Sequence, residues 1–205
     1  MNIENANNVE MENGKTYEET DTIILNSAEV LHPEYDVITE KFNFGNGNIS
    51  TTYKQPACIM EPTATRVAPT AYVIPKGLPR EAEILELMQL QEIDYYYLPA
   101  NTAISLQQYS GTVGADLKTT GLTLSTEQMF AFPTGCYVFQ MDQVNSYILA
   151  KLMEADDGSL DLVEQGRIPG NDDGTLPIYR YIHDLTEGEI GIAYTTATAA
   201  PTGLT

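Results

Sequence analysis

The feature that most constrains the fold is a strand, a turn, a second strand and a helix written into residues 130–154, FAFPTGCYVFQMDQVNSYILAKLME. Residues 136–141 form a run of mostly apolar and aromatic side chains, which suits a strand covered on both faces. Asp142 follows where a helix N-cap would stand, placed to accept hydrogen bonds from the first free amides. Val144, Tyr147, Ile148 and Leu152 then fall at i, i+3, i+4 and i+8 and predict one apolar helix face. Open α/β sheets place ligands at the C-terminal ends of their strands. Asp142 and Gln143 are therefore the candidate ligand contacts of this stretch.

The same strand-then-helix logic occurs earlier. Residues 71–74 are a short apolar run closed by Pro75, and Lys76-Gly77-Leu78-Pro79 is a turn. Residues 80–91 predict a helix with a broad apolar face from Ile84, Leu85, Leu87, Met88 and Leu90. Glu81, Glu83 and Glu86 lie towards its N-terminal half, where the helix dipole favours acids. Residues 94–98 (DYYYL) predict a second strand. Strand, helix and strand within some thirty residues predict a parallel, right-handed βαβ unit. Further strands are expected at 104–109 and 178–182, with a polar loop at 111–121. The expected fold class is α/β: a small, mainly parallel sheet with two crossover helices. The loops after Ile74, Leu98 and Met141 would then line one edge.

A β-rich lead-in is expected before this core, over residues 21–68. Residues 22–25 form a first short strand candidate. Residues 37–44 and 49–53 flank Gly45-Asn46-Gly47-Asn48, a hairpin turn signal. Residues 55–69 carry three prolines and predict an extended crossing loop. Residues 1–20 predict a disordered acidic tail and 195–205 a second disordered tail. The α/β domain is expected over 69–194.

Charge excludes some partners. Ten Lys and Arg against 29 Asp and Glu give a net charge of −19. Nucleic-acid and anionic-membrane surfaces need clustered bases, so neither is an expected partner. No apolar run approaches the ~18 residues that span a bilayer. No signal peptide is visible at the start. Cys58 and Cys136 could pair, but two cysteines make neither a disulfide framework nor a zinc motif, and Cys136 reads as a small buried hydrophobe.

Catalytic motifs do not appear. His32 and His183 lack His-x-x-Glu or His-Glu-x-x-His spacing. There is no Gly-x-Ser-x-Gly elbow, no Walker loop and no Gly-rich turn after the first βαβ strand. The acidic turns at Asp156 and Asp172 lack calcium-loop spacing. Tyr95, Tyr96 and Tyr97 suit a half-buried strand more simply than a sugar or peptide groove.

Several ordered strings carry a family resemblance. Residues 70–76 (TAYVIPK), 94–97 (DYYY), 106–109 (LQQY), 132–139 (FPTGCYVF), 141–143 (MDQ) and 176–181 (LPIYRY) resemble the C-terminal region of bacterial zinc carboxypeptidases of the carboxypeptidase A type. The resemblance spans roughly residues 55–182. In that family, zinc is held by His-x-x-Glu and a later His, with a downstream Glu as general base. None of these motifs occurs in the matching part, so no catalytic or metal-binding residue is carried over.

The resemblance implies an accessory domain lying after the catalytic domain, as an excised C-terminal fragment would. Its cofactor, zinc, would sit in the catalytic domain, which would be its partner on the same polypeptide. The implied location is extracellular or in the cell envelope. The implied role is stabilisation or substrate access in the hydrolysis of C-terminal residues from peptides. The alternatives are an independent module binding a peptide or a cell-wall carbohydrate, and a complete enzyme with an unrecognised site.

Overall fold

The computed structural model describes residues 22–43, 48–114, 119–155, 162–163 and 165–183. Both predicted tails, the Gly45–Gly47 turn and the turn at Asp156 lie outside the described residues. The chain divides into two compact units, Ile24–Arg66 and the remainder.

The smaller unit is a two-stranded ribbon of β1 (Thr22–Asn43) and β2 (Asn48–Val67). The crossing loop expected at 55–69 is instead mostly strand. Proline removes a donor, but each strand of a two-stranded ribbon has one free edge where none is needed. Pro56 and Pro62 are an even number of residues apart, so both nitrogens face the same edge.

The larger unit is built on β3 (Ala71–Pro75), β4 (Tyr96–Leu98), β5 (Ala103–Val113), β6 (Thr119–Leu124), β7 (Gln128–Ala131), β8 (Cys136–Gln140) and β9 (Thr175–Tyr181). Two helices accompany them, α1 (Glu81–Leu90) and α2 (Ser146–Met153). The strand order is β4-β8-β3-β9-β5-β6, with β7 paired to the start of β5. Every pairing is antiparallel, and the sheet curls into a half-barrel.

The expected mainly parallel α/β sheet is therefore incorrect, and the reason is specific. Strands β3 and β4 do run the same way, because each is antiparallel to β8. They are not neighbours, because β8 lies between them. Local pattern sets the direction of a strand–helix–strand unit but not which later strand fills its gap. The polar loop expected at 111–121 is likewise replaced by the ends of β5 and β6.

The two faces of the sheet differ. One carries Val73, Leu98, Leu106, Val138, Tyr179 and their neighbours, a continuous apolar cluster. Phe130, Phe132 and Tyr179 meet there at ring separations of 4.8–6.4 Å. The other face carries Tyr72, Tyr137, Phe139 and Arg180, and the helices lie on it. The Tyr137 hydroxyl donates to Glu81 of α1 at 2.7 Å, and the Tyr72 hydroxyl to Glu154 at the end of α2.

Helix α1 buries Ile84 and Met88. It ends in a reciprocal pair of bonds, Glu92 N to Gln89 O and Ile93 N to Met88 O, with Glu92 at φ 54°. That is a Schellman closure made without glycine. Helix α2 departs from its expected face. It buries Leu149, Ala150, Leu152 and Met153, while Tyr147 is 70 % and Val144 53 % exposed. Its apolar residues occur nearly all round, so periodicity could not choose the inward side. Among the described residues, no helix is long and apolar enough to cross a membrane.

Candidate functional site

The register of three adjacent strands sets three polar side chains in one row. Arg180 of β9 stands opposite Tyr72 of β3 on one side and Gln107 of β5 on the other. Side chains of directly paired residues share a face. Tyr109 shares that face two residues along β5. Glu154, the C-cap residue of α2, comes down onto the row. The Tyr72 hydroxyl donates to Oε2 of Glu154 and the Tyr109 hydroxyl to Oε1, each at 2.5 Å. Arg180 Nε lies 3.7 Å from Oε2. The guanidinium also donates to the Val67 carbonyl, and to Gln107 Oε1 at 3.4 Å.

All four members are shut away from solvent: Tyr72, Tyr109 and Glu154 at 0 % exposure and Arg180 at 3 %. Burying an ion pair is costly unless its remaining lone pairs and protons are satisfied. Two phenols supply that satisfaction at the carboxylate. The cluster cannot admit a substrate, so its chemistry is that of an internal lock.

Burial holds protons on Tyr72 of this cluster and on two side chains of the opposite face, Cys136 and Tyr179. It pushes the Tyr72 hydroxyl well above its ordinary 10.0, with the Glu154 charge adding to the effect. Burial lifts the Cys136 thiol to about 12, and Tyr179 to about 12 with help from Asp173. Cys136 is buried, as expected of it. Each raised value favours the folded state only while the proton stays on in both states. Stability should therefore be complete below about pH 9 and fall as pH rises towards 12, by ~1.4 kcal/mol per pH unit for each group in its window. Thermal melts across this range should show the decline. In Cys136→Ala it should begin about one pH unit later, where tyrosines take over. A melting temperature flat through the alkaline range would rule the account out.

Asp142 and Gln143 have different positions from those expected. Helix α2 starts at Ser146 with Asn145 as its N-cap, so Asp142 caps nothing and stands exposed. Gln143 is occupied internally. Its Oε1 accepts from Asp94 N at 2.8 Å, and its Nε2 donates to the carbonyls of Asp94 and Gln140. It imitates a strand partner and fixes the entry into β4. Asp142→Ala should change stability by no more than ~0.5 kcal/mol, and Gln143→Ala should cost ~1–2 kcal/mol by leaving backbone groups unpaired. Denaturant titration of both variants checks the order, and equal effects would refute it.

The loops after Ile74, Leu98 and Met141 do not converge. Pro75 and Leu98 both pair with Cys136, whereas Ala71 pairs with Gln140. The first two loops therefore leave one edge of the sheet and the third leaves the opposite edge, roughly 14 Å away along the strands. An antiparallel order removes the shared edge that a parallel sheet would have supplied. Tyr95 sits against Tyr137 and Phe139 with ring centroids 5.5 Å apart in each case, as a half-buried strand flank does. His183 Nε2 lies 2.5 Å from a Glu127 oxygen at the surface. Among the described residues, no group of three or more His, Cys, Asp or Glu is placed to hold a metal ion.

An open groove of about 350 Å3 lies between the helices. Leu87 of α1 and Gln91, its C-cap residue, form one wall. Tyr147, Ile148, Lys151 and Leu152 of α2 form another, and Gln165 and Arg167 a third. Two clips hold the walls in place. Asn145 Nδ2 donates to Gln91 O at 2.7 Å, joining the end of α1 to the start of α2. Arg80 donates to Gly166 O at 3.5 Å, joining the start of α1 to the third wall.

Sequence reasoning missed both the lock and the groove. A signal for the lock existed. Arg180 is the one charged residue in the string 176–181, at a position sharing parity with buried Ile178. Glu154 follows Leu152 and Met153 directly, an acid at the end of a mostly apolar helix. The groove had no such signal, because its walls come from three separate segments. Comparison with protein families, with curated proteins and with solved structures finds no match to this chain.

Proposed function

We propose that this chain is a non-catalytic accessory domain of a zinc metallocarboxypeptidase, stabilising the catalytic domain and shaping access to its cleft. One observation supports the reading above others. Four of the strings that carry the resemblance fall on β3, β5, β8 and β9, the middle strands of the sheet. Three of them supply Tyr72, Tyr109 and Arg180 to the lock. The resemblance is thus concentrated in what makes the domain rigid. A rigid sheet backed by two helices is a platform for packing, and platform residues need no catalytic chemistry. In the parent enzyme, zinc and a carboxylate would activate water against the terminal peptide bond. The partner is the catalytic domain of the same polypeptide, placed outside the cell or in its envelope.

The test is to supply the 205-residue chain, fused or in trans, to a catalytic domain of the resembling kind. A higher melting temperature of the catalytic domain, with changed peptidase activity on long but not short substrates, is expected. No association and no change in either measurement would overturn the proposal. A second reading, an independent peptide- or carbohydrate-binding module, is favoured by the open groove between α1 and α2.

A further inference from the structure

We propose, resting on the accessory-domain reading, that the exposed face where the end of α1 meets the start of α2 is where the catalytic domain docks. The matching surface on that domain is an apolar patch edged by Lys and Arg. On this chain the centre of the face is Leu87 and Leu90 of α1, with Val144 just before α2 and Tyr147 and Ile148 in its first turn.

Exposure picks out the face. Among the described residues of the larger unit, five large apolar side chains are exposed: Val67, Leu90, Met129, Val144 and Tyr147. Three of the five gather here, with Leu90 at 73 %, Tyr147 at 70 % and Val144 at 53 % exposure. The bond from Asn145 Nδ2 to Gln91 O brings them together, because Val144 and Leu90 are the chain neighbours of its two ends. Leu87, Tyr147 and Ile148 continue the apolar surface into the adjoining groove. Single exposed apolar side chains are ordinary, but a gathered set marks an interaction surface. Tyrosine is enriched in the centres of such surfaces.

Charge identifies the occupant. Four exposed acids edge the face: Glu86, Glu92, Asp94 and Asp142. Glu86 stands one helical turn before Leu90. Glu92 follows Gln91. Asp94 and Asp142 are held close, because Gln143 Oε1 accepts from Asp94 N at 2.8 Å. Among the described residues, none of the four belongs to an ion pair. Lys151 lies one turn farther along α2 than Tyr147, and Arg167 lies 3.8 Å from Glu83 in the first turn of α1, so neither is at this end. An apolar centre with an acidic edge complements an apolar surface with a basic one. A second copy would set the same four acids against these, on chains that each carry −19, and is disfavoured. The bonds from Asn145 to Gln91 and from Gln143 to Asp94 and Gln140 fix both helix ends before the partner arrives, which lowers the cost of docking.

The test is calorimetric titration of the 205-residue chain into a separately purified catalytic domain of the resembling kind. The parent chain should bind. Tyr147→Ala and Leu90→Gln should each weaken binding by ~10-fold, and together by ~100-fold, with the chain's own melting temperature unchanged. Glu92→Gln with Asp142→Asn should weaken it by ~10-fold at low salt and flatten its salt dependence. Met129→Gln, which removes an exposed apolar side chain from β7, should leave the affinity as it was. If the chain binds and the Tyr147→Ala/Leu90→Gln double variant binds as tightly, this face is overturned while the accessory-domain reading stands. If the parent chain does not bind, both fall. A dimer of the chain alone that the double variant abolishes would assign the face to a second copy and overturn the proposal.

Discussion

Glu154→Gln is expected to destabilise the larger unit by ~3–5 kcal/mol, a large share of the 5–15 kcal/mol that typically holds a domain folded. The carboxylate is fully buried, accepts two phenolic protons at 2.5 Å and lies 3.7 Å from the Arg180 guanidinium. Glutamine keeps the shape but brings a donor where a tyrosine also donates. It also removes the negative charge beside a buried cation, whose Nε has no hydrogen-bond partner among the described residues. The uncompensated guanidinium dominates the loss, since stranding one charge costs more than removing both. The pair Glu154→Leu with Arg180→Met should therefore recover most of the stability that either single change loses. Denaturant unfolding of the two singles and the double gives the coupling directly. A Glu154→Gln loss below ~1 kcal/mol, or a double variant as weak as the sum of its singles, would show that the cluster is not a lock.

Gly135→Ala is expected to be comparably severe, for a backbone reason. Gly135 sits at φ 84° in the turn between β7 and β8, donating its N–H to Phe132 O and accepting from Lys76 N. A Cβ there would stand 2.5 Å from the Leu98 carbonyl oxygen and 2.6 Å from the Tyr97 hydroxyl. The tyrosine can swing away, but the carbonyl belongs to β4 and cannot move without loosening its ladder to β8. Left-handed strain contributes ~1–2 kcal/mol and the collision adds to it, for a total above ~3 kcal/mol. Gly77 offers the control. It has φ 90° and nothing within 4 Å of its built Cβ, so Gly77→Ala should show the strain without the collision. If the two variants melt together, the close approach to Leu98 carries no energetic weight.

The positions of the elements in the larger unit were largely legible. The apolar runs at 71–74 and 136–140 and the mixed segment at 104–109 are strands because the residues there have no helical period. Residues 80–91 contain α1 because Ile84 and Met88 recur on one helical face. The candidate contacts were less legible. Asp142 has the right chemistry for an N-cap, yet the chain turns through Gln143–Asn145 before α2 begins. Gln143, a candidate ligand contact by sequence, hydrogen-bonds Asp94 and Gln140 in the fold.

By itself, the sequence determined local conformation and gross electrostatics. Side-chain shape and hydrogen-bonding habit act over a few residues, so strands, helices and the acid excess can be read off the chain. The tertiary structure decided which strand lies beside which. Insertion of β8 between β3 and β4 turns a supposed parallel sheet antiparallel, and a pairing across more than sixty residues has no local signature. The same long-range pairing decided the polar chemistry. Tyr72, Gln107 and Arg180 share a row only because three distant strands adopt one register. Glu154 reaches that row only because α2 lies on that face. The walls of the groove meet for the same reason: proximity between remote residues depends on packing free energy summed over the whole core, not on any segment's own preference.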